Sequence, residues 1–298
     1  MGGRAGIAVV AGLLVMLAAS CRREQGAAAP PKSKRPTAAS LSPAATDLVL
    51  GIGAGAHLIA VSNYDKAREG TAGLPRVGDY AGVDWEKVAA IRPDVMVVQG
   101  KRDRMPAGLE ERAKGMGIKL EVIGIDRIAD IFTVIDQLGT ALAEREKADA
   151  AGAQLHARLD AVKEAARGKP PVTALIVLSE NGEGVVGPGN FLDESLTMAG
   201  GKNVAAGLGS AYPSVDREKL LAMDPDVIIQ LLPEASPQVL ETAEQFWRSM
   251  DKLKAVKNGR VVRLTDWWVL LPGWHVADLA EKFAGALRPT PVPDGGGS

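Results

Sequence analysis

From about residue 38 the chain alternates short apolar runs with stretches of helical period. "LIAVSNY" (58–64), "DVMVVQ" (94–99), "IKLEVIGI" (118–125), "VTALIVLS" (172–179), "DVIIQLL" (226–232) and "GRVVRLT" (259–265) are rich in Val, Ile and Leu. Such nearly continuous apolar runs suit parallel strands covered on both faces. Between them lie amphipathic stretches: "GLEERAKGMG" (108–117), "EQFWRSMDKLKAV" (244–256) and "VADLAEKFAGAL" (276–287). Ser42 followed by Pro43 marks a helix start, with a hydroxyl cap and a proline at the first helical position. This punctuation reads as α/β.

The pattern changes between Ile128 and Arg167, which is helical in period, Ala-rich and free of Pro, with Gly139 a candidate interruption. Residues 141–169 predict a continuous helix of about 25 residues closing at Gly168, about 40 Å at the usual rise. Such a helix spans two lobes better than it serves as one crossover. The expected fold class is therefore α/β: two α/β lobes with a cleft between them, joined by a single long α-helix. The expected divisions are an N-terminal lobe at 37–126, a bridging helix at 127–168 and a C-terminal lobe at 169–288. Residues 289–298 read as a disordered tail.

The chain also repeats itself. "YAGVDWEKVAAIRPDV" from Tyr80 returns as "YPSVDREKLLAMDPDV" from Tyr212, 132 residues later, with nine of sixteen positions identical. One copy falls in each expected lobe, which implies internal duplication and a pseudo-two-fold relation. Both copies place a Glu six residues after the Tyr: Glu86 after Tyr80, Glu218 after Tyr212. Each Glu suits the first turn of its helix on dipole grounds, which leaves the repeated spacing from the Tyr unexplained.

The N-terminus reads as an export signal. Arg4 precedes the apolar run "IAVVAGLLVMLAA" (7–19), which is short for a bilayer span. "LAASC" then leads to Cys21, the chain's only cysteine. The expectation is a lipoprotein signal peptide at 1–20 and lipidation at Cys21, although Ala18 stands where such signals carry a larger apolar residue. Several acyl chains, at about 0.8 kcal/mol per buried methylene, anchor stably. Residues 21–36, dense in Ala, Pro and charge, read as a flexible linker.

Net charge is -1, which argues against nucleic acid as a partner. No phosphate-loop pattern follows the glycines of "GEGVVGPGN". The three histidines, His57, His156 and His275, share no ligand spacing, so neither a bare-metal site nor an enzyme is expected. Tyrosines number only three, and all three fall at expected loop tips. Lys101, Arg102 and Arg104 follow a strand end, where they meet an anionic ligand or simply solvent.

Taken in order, "SLSPAATDLVLGIGAG", "VSNYD", "VGDYAGVDWEKVAAIRPDVMV", the bridging helix, "MAGGKNVA", "YPSVDREKLLAMDPDVII" and "RLTDWW" resemble the class III substrate-binding proteins of bacterial ABC importers. That family serves vitamin B12, ferric siderophores and heme. The resemblance covers about Pro36 to Arg288 and implies a receptor that is not an enzyme and has no intrinsic cofactor. It would be a monomer, membrane-tethered in the periplasm or at the cell surface, delivering a metal chelate to a permease dimer with its ATPase subunits. It implies ligand contact by Tyr64, Tyr80, Tyr212, Asp266 and Trp267, and permease docking by Glu86 and Glu218. A two-fold permease offers two equivalent basic sites, so the duplication acquires a reason. A corrinoid is the first expectation, since these aromatics match those of corrinoid-binding members, although Tyr80 and Tyr212 stand where those carry Trp. Ferric siderophore and heme are the alternatives, with His275 and Tyr80 or Tyr212 as candidate iron ligands for heme. Phe191, in "PGNF", is a further candidate for the cleft. An enzyme or a sensor on the same fold is less favoured.

Overall fold

The computed structural model describes Gly2, residues 35–79 and residues 81–289. Cys21, Tyr80, the expected signal peptide, most of the linker and nearly all of the tail lie outside the described residues.

The N-terminal lobe runs β1 (Ala38–Ser40), α1 (Pro43–Gly51), β2 (Leu58–Ala60), α2 (Trp85–Ile91), β3 (Val95–Gln99), α3 (Leu109–Gly115) and β4 (Lys119–Ile123). Two helices follow, α4 (Ile128–Ala141) and α5 (Arg145–Ala166). The C-terminal lobe is β5 (Val172–Val177), α6 (Phe191–Met198), β6 (Gly201–Asn203), α7 (Arg217–Met223), β7 (Val227–Leu231), α8 (Pro237–Arg248), α9 (Lys254–Lys257), β8 (Val261–Leu264) and α10 (Val276–Leu287). Each lobe holds a four-stranded sheet with parallel pairing throughout, ordered β2-β1-β3-β4 and β6-β5-β7-β8. The two orders correspond strand for strand.

Strand side chains alternate between faces, and that period sorts them into different cores. Ala38, Val95, Val97 and Ile123 of the first sheet, and Ala174, Ile176, Val227 and Ile229 of the second, belong to one continuous apolar cluster. Residues of α1, α4, α5, α6 and α10 complete it. Met96 and Val98 face the other way, onto Val88 of α2 and Leu109 of α3. Leu175, Val177 and Ile228 likewise face Leu220 of α7 and Trp247 of α8. The two sheets thus flank a shared helical layer, and α2, α3, α7 and α8 cover the outer faces.

The repeated segment folds the same way twice. Asp84 and Asp216 cap α2 and α7 by accepting from Lys87 N (3.1 Å) and Lys219 N (2.8 Å). Arg92 and Asp224 end the helices in left-handed conformation, at φ 53 and 35. The Asp of each "PDV" then ties its strand to the central neighbour. Asp94 Oδ2 accepts from Thr37 N and Thr37 Oγ1, both at 2.9 Å, and Asp226 Oδ2 accepts from Thr173 Oγ1 at 2.6 Å.

The stretch expected as a single bridging helix is two. The chain breaks at Leu142–Glu144, where Ala143 adopts φ 57, and α4 packs against α5. Gly139 permits the close approach: a Cβ there would lie 2.4 Å from that of Ala148. The 22-residue α5 is the long connector. Its start meets the N-terminal lobe where Glu144 Oε1 lies 2.9 Å from His57 Nε2, while His57 Nδ1 lies 2.6 Å from Pro36 O. Its end meets the C-terminal lobe, where a Cβ on Gly200 would touch Ala166. The buried face of α4 ends at Leu142 and that of α5 begins at Ala148, with exposed Arg145, Glu146 and Lys147 between them.

Two stability predictions follow from these contacts. Asp94→Ala and Asp226→Ala each remove a hydrogen-bonded strand tie, at an expected cost of about 1–2 kcal/mol in urea unfolding. The two costs should add to within about 0.5 kcal/mol, because the sites share no partner. The His57 hydrogen bond, and then that of Lys147, hold the Glu144 carboxyl down at about 2, against an ordinary 4.5. A carboxylate with a depressed folded value stabilises fully above its unfolded range, and that stabilisation is lost as pH falls through the folded value. Glu144→Gln is therefore expected to lower Tm at neutral pH. It should also flatten the fall of Tm between pH 4.5 and about 2.

Candidate functional site

The contacts between lobes identify which ends of the sheets face each other. Lys66, after β2, lies 2.5 Å from Glu234, after β7. Arg68 stacks its guanidinium 3.6 Å from the centroid of Trp267, after β8. Phe191 N, at the start of α6 beyond β5, donates to Asp126 O, after β4, at 2.9 Å. All six residues follow the carboxyl ends of strands. The cleft therefore lies between the carboxyl edges of the two sheets, where open α/β sheets place their ligands.

On the N-terminal lip, the loop 62–65 is pinned by a buried carboxylate. Asp65 is 1% exposed. Its Oδ2 accepts from Ser62 N (3.0 Å) and from Thr46 Oγ1 of α1 (3.0 Å), and Oδ1 lies 3.5 Å from Arg68 Nη2. The run expected as a strand to Tyr64 consequently ends at Ala60 and turns, and Tyr64 is left 70% exposed. The neighbouring tip is turned by Asp79, whose Oδ1 accepts from Ala81 N (2.9 Å) and Gly82 N (3.1 Å).

On the opposite lip, Tyr212 is 53% exposed. Its loop hangs on Asn190, whose Nδ2 donates to Gly187 O (3.1 Å) and Ala211 O (3.2 Å) while Oδ1 caps α6 through Leu192 N and Asp193 N. Burial, and then the charge of Asp126 from the other lobe, push the Tyr212 phenol above its usual value. Asp126 also pairs with Lys101 at 2.9 Å, and Arg102 pairs with Glu110 at 2.9 Å. Arg104 has no ion pair among the described residues. Of the basic loop, only Arg104 thus keeps an uncommitted charge.

Other expected site residues are placed differently. Asp266 turns to α10 and pairs with Lys282 Nζ at 2.9 Å. Trp267 carries Arg68 on one face and meets His275 edge-on at 5.4 Å, so it joins the lobes rather than presenting two bare faces. Phe191 is 4% exposed and belongs to the shared core. Both ring nitrogens of His275, a candidate iron ligand, are turned to carboxylates: Nδ1 lies 3.0 Å from Asp278 Oδ2 and Nε2 3.4 Å from Asp47 Oδ1. Among the described residues no three His, Cys, Asp or Glu side chains group as a metal site, and no helix is long and apolar enough to cross a membrane.

Glu86 and Glu218 occupy the first turns of α2 and α7. Each helix runs back to feed its strand, so its first turn lies at the carboxyl edge of the sheet, on the outer shoulder of the cleft. Both side chains are exposed, and neither has an ion pair among the described residues. The residue before each differs: Trp85 lies under Arg112 at 4.9 Å, whereas Arg217 binds Ser249 Oγ at 3.0 Å. A separate groove of about 680 Å³ runs between α4, α5 and α6 over Phe132, Leu159 and Met198. It is walled by helix flanks, not strand-end loops.

Asp65, Arg68, Asp47 and Asn190 position the cleft and were not legible as site residues. Their signal is a polar residue inside an apolar neighbourhood, which only burial reveals. A titration tests the lip geometry. Asp126→Asn is expected to bring the elevated Tyr212 phenol transition down, and Tyr212→Phe to abolish it, as read by phenolate absorbance. An unmoved transition in Asp126→Asn would separate the two groups.

The periplasmic binding protein profile matches residues 39–266. The vitamin B12-binding protein of Vibrio campbellii is 27% identical over 233 residues, covering 78% of this chain and 82% of that protein. Among solved structures, the periplasmic vitamin B12 binding protein of Vibrio cholerae superposes with TM-score 0.70 at 23% identity, covering 85% of this chain and 96% of the other. The periplasmic heme binding protein of the same species superposes with TM-score 0.72 at 21% identity, covering 85% and 99%. The last two likenesses concern the fold. With two parallel sheets facing each other by their carboxyl edges and a profile match over most of its length, this chain belongs to the periplasmic binding protein family.

Proposed function

We propose that this protein is the lipid-anchored, substrate-binding component of an ABC importer, which captures a bulky metal chelate in the cleft and delivers it to a permease. A corrinoid is the ligand this reading favours. The observation that carries it is the pair of aromatic lips. Among the described residues the exposed large hydrophobic side chains are Tyr64, Tyr212 and Met116, and the two tyrosines stand on opposite lobes at the cleft. An aromatic on each lip suits a flat macrocycle, which offers apolar faces with a polar edge. Tyr80, which follows Asp79 in the sequence and lies outside the described residues, is assigned to the ligand by this reading alone. The curated relatives named for vitamin B12 support the corrinoid.

Heme and ferric siderophores are the second reading, favoured by the heme-binding and Fe3+-hydroxamate transport proteins among the structural neighbours. Within it, iron ligation falls to Tyr80 or Tyr212, since His275 is committed to carboxylates. Trp267 contributes at most one ring face to either ligand, and Asp266 acts by holding Lys282.

Glu86 and Glu218 are the docking pair of this reading. Two unpaired carboxylates on equivalent shoulders suit a two-fold partner with two basic sites, and charge complementarity sets orientation and encounter rate. Lipidation at Cys21 would keep the domain at the membrane, on the periplasmic side or at the cell surface.

Titration of the protein with cyanocobalamin, heme and ferric siderophores, followed by tryptophan quenching, tests the ligand. Saturable binding of cyanocobalamin alone is expected, and Tyr64→Ala and Tyr212→Ala should each weaken it by about 1 kcal/mol. Binding unaffected by either change would move the site out of the cleft. Glu86→Ala with Glu218→Ala should leave that affinity intact and abolish uptake in cells. Uptake at the native rate would reject the docking assignment.

A further inference from the structure

We infer that His275 is a positioning residue for the cleft: set between Asp47 of one lobe and Asp278 of the other, it clamps the lobes in one relative setting and steadies Trp267 where they meet. The inference goes beyond the transport reading and does not depend on which ligand the cleft takes.

The geometry is specific. Asp47 lies on α1 and is buried. Its Oδ2 accepts from Trp274 N at 2.7 Å, and its Oδ1 faces His275 Nε2 at 3.4 Å. This is a contact between a helix of the N-terminal lobe and the segment leading into α10. The helix and segment approach closely because Gly51 has no side chain: a Cβ there would lie 2.3 Å from the Trp274 ring. On the other side, His275 Nδ1 faces Asp278 Oδ2 at 3.0 Å, and Asp278 Oδ1 accepts from Arg158 Nη2 of α5 at 2.7 Å. Arg158 is held in turn by Glu281 at 2.9 Å. The imidazole stacks on Trp268 at 4.9 Å and 15° and meets Trp267 edge-on. Arg68 closes the circuit, lying over the free face of Trp267 while pairing with Asp65 beneath the Tyr64 loop. Lys282 stands 5.7 Å over Trp268 and is neutralised by Asp266.

The charges that face the imidazole are therefore Asp47 from α1 and Asp278 from α10. Arg158 and Glu281 stand behind Asp278, and Arg68 lies near Asp47. The ring is thus held by a carboxylate on either side. Burial pushes the Asp47 carboxyl up, and the His275 charge is the strongest influence holding it down. Losing that charge therefore also weakens Asp47's hold on Trp274 N, the other link between α1 and this segment.

The test measures the lobes directly. Spin labels at Lys114→Cys on α3 and Gln238→Cys on α8, in a Cys21→Ser background, report the distance between outer surfaces of the two lobes. The native pair is expected to give one narrow distance peak. His275→Phe keeps an aromatic ring but loses both nitrogens, and should give a broader distribution, with circular dichroism confirming that the variant folds. Asp47→Asn, which leaves the ring in place, should lie between the two. His156→Phe, at an exposed histidine, is the control and should match the native chain. A folded His275→Phe with a peak of native width would overturn the inference, and so would a peak of native width in Asp47→Asn.

Discussion

The two sheets share one apolar core. Ala38, Val95 and Val97 from one and Ala174, Ile176, Val227 and Ile229 from the other pack into the same helical layer with Leu48, Leu138, Leu155 and Phe283. Burial contributes about 25 cal/mol per Å² of apolar area removed from water, so large relative movement of the lobes would expose surface that nothing else covers. A close-packed interior resists gradual deformation. The lobes are in that sense halves of one body, and the cleft is a fixed opening between strand ends. Chemistry then falls to the loops, where a rigid frame presents side chains that folding does not use.

Comparison of the two copies of the repeat separates folding requirements from other ones. The cap from Asp84 or Asp216, the left-handed turn at Arg92 or Asp224, and the tie from Asp94 or Asp226 each satisfy a backbone or strand-pairing need. Their duplication is explained by the fold. Glu86 and Glu218 satisfy none of these needs. They make no ion pair among the described residues, and the caps of their helices are supplied by Asp84 and Asp216. Where the copies diverge, as at Trp85 and Arg217, each side chain packs on its own local surroundings. The acidic pair is thus the part of the repeat that the fold leaves unused.

The buried charges lie where the lobes meet. Asp65 and Asp47 are nearly inaccessible, and a buried carboxylate costs several kcal/mol unless it is paired and hydrogen-bonded. Both are paired: Asp65 with Ser62 N, Thr46 and Arg68, Asp47 with Trp274 N and His275. Such pairs add little net stability, because desolvation offsets the attraction. Their effect here is directional. An apolar seam tolerates small slides, whereas a carboxylate held by donors from two sides admits one arrangement.

The α/β class, the two lobes and most strands were legible because a parallel strand covered on both faces must be apolar along its length, and "DVMVVQ" and "DVIIQLL" say so without tertiary help. The caps at Ser42, Asp84 and Asp216 are local backbone chemistry and were equally open to reading, at Ser42, or implied by the repeat. The division of residues 127–168 into α4 and α5 was not, because the break at Leu142–Glu144 holds neither Pro nor Gly, and the residue that takes the left-handed turn is Ala143. Short β1 and β6, at three residues each, carry too little pattern to declare themselves. Aromatic type pointed to Tyr64, Tyr212 and Phe191 alike; the first two side chains are exposed and the third is buried, since an aromatic packs into a core as readily as it lines a cleft. What Trp267 and His275 do was decided only by tertiary structure. Their partners, Arg68 and Asp47, lie some two hundred residues away in sequence, and an ion pair or a stacked ring has no periodicity for a sequence to display.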